Sequence, residues 1–580
     1  MILHLLAAVA VQAAPLPPLL PWRGKSETLI VRDDHPWVTP AERAKFVDTP
    51  DYAATRAWLD RLVAASPLLK IERFGTTAQG RDLYYVRASK GGDKPVLLIQ
   101  AGIHAGEIDG KDAGLMLLRD IAFGGKDTLL DHADLVFVPV FNADGHERSS
   151  PWNRPNQRGP RSMGWRTTAQ NLNLNRDYAK ADTPEMQAML ALIRRLDPVL
   201  YLDLHVTDGV DHQYDVTYAF SGWRGLYARS RAIGRWLDER FRPAMDRTLE
   251  RAGHNPFFYV SLKTSADPDA GITHDPDQAR FSTGYGDTAH VPTVLLETHS
   301  LKPYRQRVLG TYVFVEEALR QVGADAGRLE AAIKTDRAER PNSLVMTWKP
   351  AEKPLYTLTY KGIAHDTYTS AAAGGPVVRW LGRPVTQRMP VYGSVPDVAV
   401  RLPRAWWVPV TATDTIKRLK MHGIVMEPIA TPRTLSLDMV RLSDPKLLAA
   451  NEGRVPLGAT FTHGTRTETM PAGSVRVPAD QPLGLLAATL LEAESPDSLL
   501  QWGFFPQILQ RTEYIEAYAI APLADAMLAR DPALKAEFAR KVAADPAFAA
   551  SPAARLAWFY ARTPYYDERY LLYPVGRELE

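Results

Sequence analysis

Between residues 82 and 300 the chain alternates apolar runs with amphipathic stretches. DLYYVRAS (82–89), KPVLLIQA (94–101), DLVFVPVFN (134–142), VLYLDLHV (199–206) and VPTVLLETHS (291–300) have the length and aliphatic content of strands. The intervening stretches 111–122, 184–196, 225–251 and 305–322 carry apolar residues at helical spacing. Upstream, TPAERAKFVDTPDYAATRAWLDRLVAASP reads as helical, with Thr-Pro and Asp-Thr-Pro as start signals. Continuous apolar strands separated by helices predict an α/β fold, a mostly parallel mixed sheet covered by helices. We expect this domain to occupy 40–330. From 335 to 475 the pattern changes to short β-type runs such as LYTLTY, PVVRWL and RAWWVPV, broken by Pro and Gly, which predicts a β-rich accessory domain. From 480 to 580, PLGLLAATLLEAE and APLADAMLARDPALKAEFARKVAADP predict a helical C-terminal segment.

The ends of the predicted strands are the unusual part. The run 94–101 leads into GIHAGEIDG, which places His104 and Glu107 three residues apart on the turn leaving a strand. DLVFVPVFN ends at Asn142, VLYLDLH at His205 and TVLLE at Glu297. In an open α/β sheet the edge beyond the carboxyl ends of the strands is where ligands bind. Two neutral imidazoles and one carboxylate are the ligand set of a catalytic zinc that leaves a fourth position to water. His104, Glu107 and His205 supply that set, and Glu297 is the further carboxylate placed to take a proton as general base.

Composition narrows the chemistry. The 580 residues contain no cysteine, so thiolate metal sites and disulfides are excluded and any metal must be held by His, Asp or Glu. A net charge of +3, from 69 basic and 66 acidic residues, gives no basic excess for nucleic-acid binding. The opening MILHLLAAVAVQAAPLPP is too short to span a bilayer and ends in small residues and prolines. It reads as a signal peptide, 1–14, removed on export to a periplasmic or extracellular compartment. No later run is long and apolar enough to predict a membrane span. Nothing in the sequence sets an oligomeric state.

Taken in order, HAGE, NADGHER, GWRTTAQNLNLNRDY, DLH and LLETHS resemble the zinc metallocarboxypeptidases of the carboxypeptidase A type over roughly residues 50 to 325. The resemblance implies one zinc ion held by His104, Glu107 and His205, with Glu297 as the glutamate that activates water. It further implies that Arg166 polarises the substrate carbonyl and that Asn175 and Arg176 grip the terminal carboxylate of a peptide with a free C-terminus. A planar guanidinium suits that last task, because it pairs bidentately with a carboxylate. Tyr285, in RFSTGYGD, is the position nearest to the family's mobile tyrosine, and the specificity pocket is expected within 255–290, where Asp275, Asp277, Arg280 and Asp287 are candidates. Arg154, Arg158 and Arg161 read as surface charges. The chain departs from the family at Ala143, where proline is usual, at Asp177, where a second asparagine is common, and at Val206, where serine is usual.

Three functions follow as expectations. The first is a zinc metallocarboxypeptidase that hydrolyses C-terminal peptide bonds. The second keeps the zinc but acts as an amidase on cell-wall peptides or acyl-amino acids. The third is a catalytically silent module that binds peptide or glycan.

Overall fold

The computed structural model describes residues 16–579, so the expected leader 1–14 lies outside the described residues. A capping box between Thr39 and Glu42 precedes α1 (Tyr52–Ala65), where the Asp51 side chain accepts the Ala54 N–H. The main sheet is built from β1 (Leu69–Thr76), β2 (Asp82–Ala88), β3 (Val96–Ala101), β4 (Asp134–Val138), β5 (Leu200–Thr207), β6 (Val216–Ala219), β7 (Pro256–Phe258) and β8 (Thr293–His299). Their spatial order is β1-β2-β4-β3-β5-β8-β6-β7. The central strands β4, β3, β5 and β8 run parallel, and β1, β2 and β6 add antiparallel pairings. All five predicted strands are present. The three that the pattern missed lack a long continuous apolar run: β1 and β7 are the sheet's edge strands, β1 half-exposed and β7 three residues long, and β6, although buried between β8 and β7, has only four residues.

Strand periodicity divides the core in two. Leu97, Ile99 and Ala101 of β3 point to one face, where they pack with α2 (Asp109–Phe123) and the long helix Tyr304–Ala338. Val96 and Leu98 point to the other, joining the helices Pro184–Leu196 and Ser282–Ala289. The Leu, Ile and Val side chains among these each contribute roughly 1.5–3 kcal/mol by leaving water. The same second core takes in Trp406, Val440 and the wholly buried helix Gly484–Leu491, so the accessory region packs directly on the sheet that carries the strand ends.

Hydrogen bonding also runs between the regions. A second sheet joins Ser261–Leu262 and Ile272–His274 to Ser343–Pro350, Tyr356–Ser370 and Gly375–Arg401. A third, six-stranded sheet is completed by Gly576–Glu578, so the chain's last turns return from the helical segment to pair with Ala405–Val408. The helices between Ala517 and Tyr560 pack around their own small core of Ile520, Phe538, Phe548 and Phe559. Two helical predictions need correction. The stretch 225–251 begins only at Arg231 and contains a π-turn at Leu237–Phe241, while the helix expected to end near 322 runs to a kink at Asp325 (φ −136°), beyond which a second helical stretch reaches Ala338, with Leu329 and Ile333 buried. Among the described residues no helix is long and apolar enough to cross a membrane.

One packing contact of the accessory region is pH-sensitive. His463 lies 2.7 Å from Glu494 Oε1 and 2.9 Å from Asp438 Oδ2. The Glu494 contact first, and Asp438 with it, push the imidazole up to about 9, against the pull of partial burial. A histidine raised above its unfolded value of about 6.5 stabilises the fold fully below that value and loses the contribution as pH rises through about 9. About a third of the side chain is exposed, so solvent screening limits the effect to about 1 kcal/mol, or roughly 2 °C in Tm. We expect His463→Gln to melt below the parent at pH 6 and with it at pH 10, as read by thermal denaturation; a gap that persists unchanged at pH 10 contradicts the assignment.

Candidate active site

The three central strands β3, β5 and β8 bring the candidate residues to one edge. Beyond β3, the Glu107 N–H donates to the His104 carbonyl at 2.9 Å, closing a turn that leaves both side chains on one side. Gly106 sits between them because a Cβ there would lie 2.7 Å from Arg154 Cγ and 2.8 Å from the Gly164 carbonyl oxygen. His205 projects from β5, and Glu297 stands beside it in the parallel register of β8. His104, Glu107 and His205 are all buried, and each offers a donor atom within 4.8 Å of the other two.

The donor set fits a metal cation. Asn173 Oδ1 accepts the Asn175 backbone N–H at 3.0 Å, which fixes the orientation of its amide. The same oxygen lies 3.0 Å from His104 Nε2, so that nitrogen carries the proton and Nδ1 is left as a lone pair. That lone pair faces Glu107 Oε1 at 3.1 Å, while His205 Nδ1 faces Glu107 Oε2 at 2.9 Å. Two Nδ1 atoms and both oxygens of one carboxylate therefore converge, with each imidazole's Nε2 turned to an outer oxygen, as metal-bound histidines require. The outer oxygen for His205 is Asp203 Oδ2, 3.0 Å from Nε2 but poorly aligned for a hydrogen bond. Charge points the same way. Burial opposes a charged His205, yet Asp203, Glu107 and Glu297 together raise its pKa well above the usual value, so the site's carboxylates call for a cation.

Around this group lies a pocket of about 330 Å³ lined by His104, Glu107, Arg154, Arg166, Asn175, Arg176, Tyr259 and Glu297. Glu297 is buried, and its Oε2 has no hydrogen-bond partner. Burial raises its pKa to about 8, with Glu107 and Asp203 adding to the effect and His205 opposing it. Such a carboxylate accepts a proton readily. Asn175 Oδ1 is likewise buried without a partner. Arg176 stacks its guanidinium 4.4 Å from the centre of the Phe281 ring and donates to the Asn175 carbonyl at 2.7 Å. Burial, with Arg166 nearby, lowers its pKa, a cost that an anion in the pocket would offset. Arg166 is the looser arginine, 43% exposed and 3.6 Å from Glu107 Oε1.

Two expectations fail here. Tyr285 does not reach the pocket: it lies in the helix Ser282–Ala289, buried against Tyr178, with its hydroxyl 3.3 Å from His422 Nδ1. The tyrosine that does line the pocket is Tyr259, next to Glu297, whose charge, with burial, raises the phenol's pKa. Its sequence signal was weak, since FFYV reads as one more apolar run. Arg154, read as a surface charge, instead pairs with Glu107 Oε1 at 2.9 Å and donates to the Val206 carbonyl at 3.2 Å. Arg161 is exposed as expected, and Arg158 donates to the Pro17 carbonyl. Of the four specificity candidates, Asp277 lines the pocket, its Oδ2 accepting the Thr283 hydroxyl at 2.5 Å. Asp287 is held by the Arg229 and Ser230 backbone, Arg280 by Asp497, and Asp275 accepts from Ser394.

Comparison with known proteins bears on the same residues. Residues 55–222 match a family model described as zinc carboxypeptidase, a span that contains His104, Glu107 and His205 and stops short of Glu297. Carboxypeptidase 2 of Trichophyton rubrum is 22% identical over 427 residues, which cover 70% of this chain and 73% of that protein. Carboxypeptidase A2 of Rattus norvegicus is 35% identical over 102 residues, 17% of this chain and 24% of that protein. Among solved structures, carboxypeptidase A from Helicoverpa armigera is similar at 19% identity and a TM-score of 0.36, over 50% of this chain and 75% of that one. The segment 55–222 thus matches the zinc carboxypeptidase family, and the relatives and solved structures named here are carboxypeptidases.

Proposed function

We propose that the protein is a zinc metallocarboxypeptidase that releases the last residue of a peptide with a free C-terminus. The observation that carries this reading is the convergence of both imidazole Nδ1 atoms on one buried carboxylate beside a second, unpartnered one. His104, Glu107 and His205 would hold one zinc ion. When bound, that ion supplies Lewis-acid polarisation of the carbonyl and a lowered pKa for water.

The chain's own residues do the rest. Glu297 Oε2, free of any partner, accepts the proton from the attacking water and passes it to the leaving amine. Arg154 is committed to Glu107 and Val206, so it keeps the carboxylate in place rather than meeting substrate. Arg166, less encumbered, turns toward the scissile carbonyl. Asn175 and Arg176 grip the terminal carboxylate, and Asp277, on the pocket wall, favours a basic side chain on the released residue.

The test is a peptide panel with free or amidated C-termini, read by mass spectrometry of the released products. Each charge-assisted hydrogen bond contributes about 1.5–3 kcal/mol. Amidation removes the charge that Arg176 meets, so kcat/KM should fall at least ~10-fold in the parent and by less in Arg176→Ala. Equal cleavage of both peptides, or cleavage at internal bonds only, would favour the zinc amidase reading instead.

A further inference from the structure

The accessory region reaches the site at Glu452. Asn451 and Arg454 exchange backbone hydrogen bonds at 2.8 and 3.0 Å, closing a two-residue hairpin turn. Glu452 and Gly453 occupy its centre, both left-handed, with φ of 50° and 77°. Such a turn favours Asn-Gly or Gly-Gly, and a glutamate in the first position carries a conformational cost. Gly453 suits its left-handed φ and comes close to Leu172, whose Cδ2 would lie 2.7 Å from a Cβ at this position. The turn is therefore pressed against the segment that leads into Asn173.

The strained glutamate has a partner. Glu452 Oε2 accepts the Asn173 backbone N–H at 2.8 Å, and the Asn173 side chain sets the tautomer of His104 and receives the Asn175 N–H. Arg454, on the same turn, forms two hydrogen bonds to Asp182, at 2.9 and 2.6 Å, and stacks 3.7 Å from the centre of the Phe504 ring, which anchors the turn. The Glu452 charge also acts on Arg176, opposing the lowering of that guanidinium's pKa by burial and Arg166.

We infer that Glu452 is a positioning residue for this site: from outside the catalytic sheet it holds Asn173, and through Asn173 it sets both the metal-facing nitrogen of His104 and the placement of Asn175 and Arg176. The inference rests on the reading of the site as a zinc carboxypeptidase centre. It assigns the accessory region a part in the chemistry, beyond covering the sheet.

Glu452→Gly separates positioning from general structure, because glycine is better suited to the left-handed turn. We expect the zinc-free variant to melt at or above the parent. Its zinc affinity, measured by competition with a chelator, should fall ~10-fold, within the range seen when outer partners of metal ligands are removed. KM for a free C-terminal peptide should rise more than kcat falls. Glu452→Gln, whose amide oxygen can still accept the Asn173 N–H, should restore zinc affinity to within about 2-fold of the parent. The inference is overturned if Glu452→Gly keeps parental zinc affinity and KM, if Glu452→Gln is as impaired as Glu452→Gly, or if the zinc-free glycine variant melts well below the parent. A parent that binds no zinc sinks the functional reading instead, so the two failures are distinguishable.

Discussion

Glu297→Gln should lower kcat by ~10²–10⁴-fold while leaving the fold and metal content unchanged. Glutamine matches the shape of the side chain, so the parallel pairing of β8 with β5 and the contact surface around His205 persist. What is lost is the ability of this position to take a proton. The substitution should also leave stability equal or raise it, because a buried carboxylate with an unpartnered oxygen is replaced by a neutral amide. A catalytic residue that weakens the fold is the expected sign of a site selected for chemistry. Turnover within a few-fold of the parent, in protein that still holds zinc, would move the proton to another group.

His205→Ala should be the more drastic change. It removes one of three donors from a site whose remaining pair, His104 and Glu107, comes from a single turn and cannot enclose an ion. Peptidase activity should fall to background. The parent's melting temperature should rise when zinc is added in excess, since an ion bound only by the native state stabilises it. The variant's should not rise. The comparison is made in zinc-free protein, so that loss of the buried imidazole and loss of the ion are read separately. A zinc-dependent rise of equal size in both proteins would place the ion elsewhere.

How much of this was visible in the sequence depended on how far each residue's partners lie along the chain. The central strands were legible because strands buried on both faces are continuous apolar runs, and a polar residue ending such a run is conspicuous. His104, Glu107, His205 and Glu297 were all found in that way. The edge strands β1 and β7 and the four-residue β6 carry no such run and were missed. Spacing gave no signal for Tyr259, since which tyrosine faces the pocket depends on how the segment after β7 folds back, and that segment pairs through Ile272–His274 with Gly375–Arg401 of the accessory region. Arg154 looked like one basic residue among several in a polar loop; only the fold brings it to Glu107. Glu452 lies 279 residues from Asn173, and its left-handed conformation has no signature in the local sequence. Residues that act on the site through one intermediary were the ones that pattern reading could not reach.

The central claim, a single zinc held by His104, Glu107 and His205 and needed for peptide hydrolysis, is tested most directly by metal analysis of the dialysed parent during chelation and reconstitution. About one zinc per chain should be present, peptidase activity should fall in proportion as a chelator removes it, and both should return together on adding zinc back. Full hydrolysis of a C-terminally free peptide by protein with less than ~0.1 zinc per chain would contradict the account.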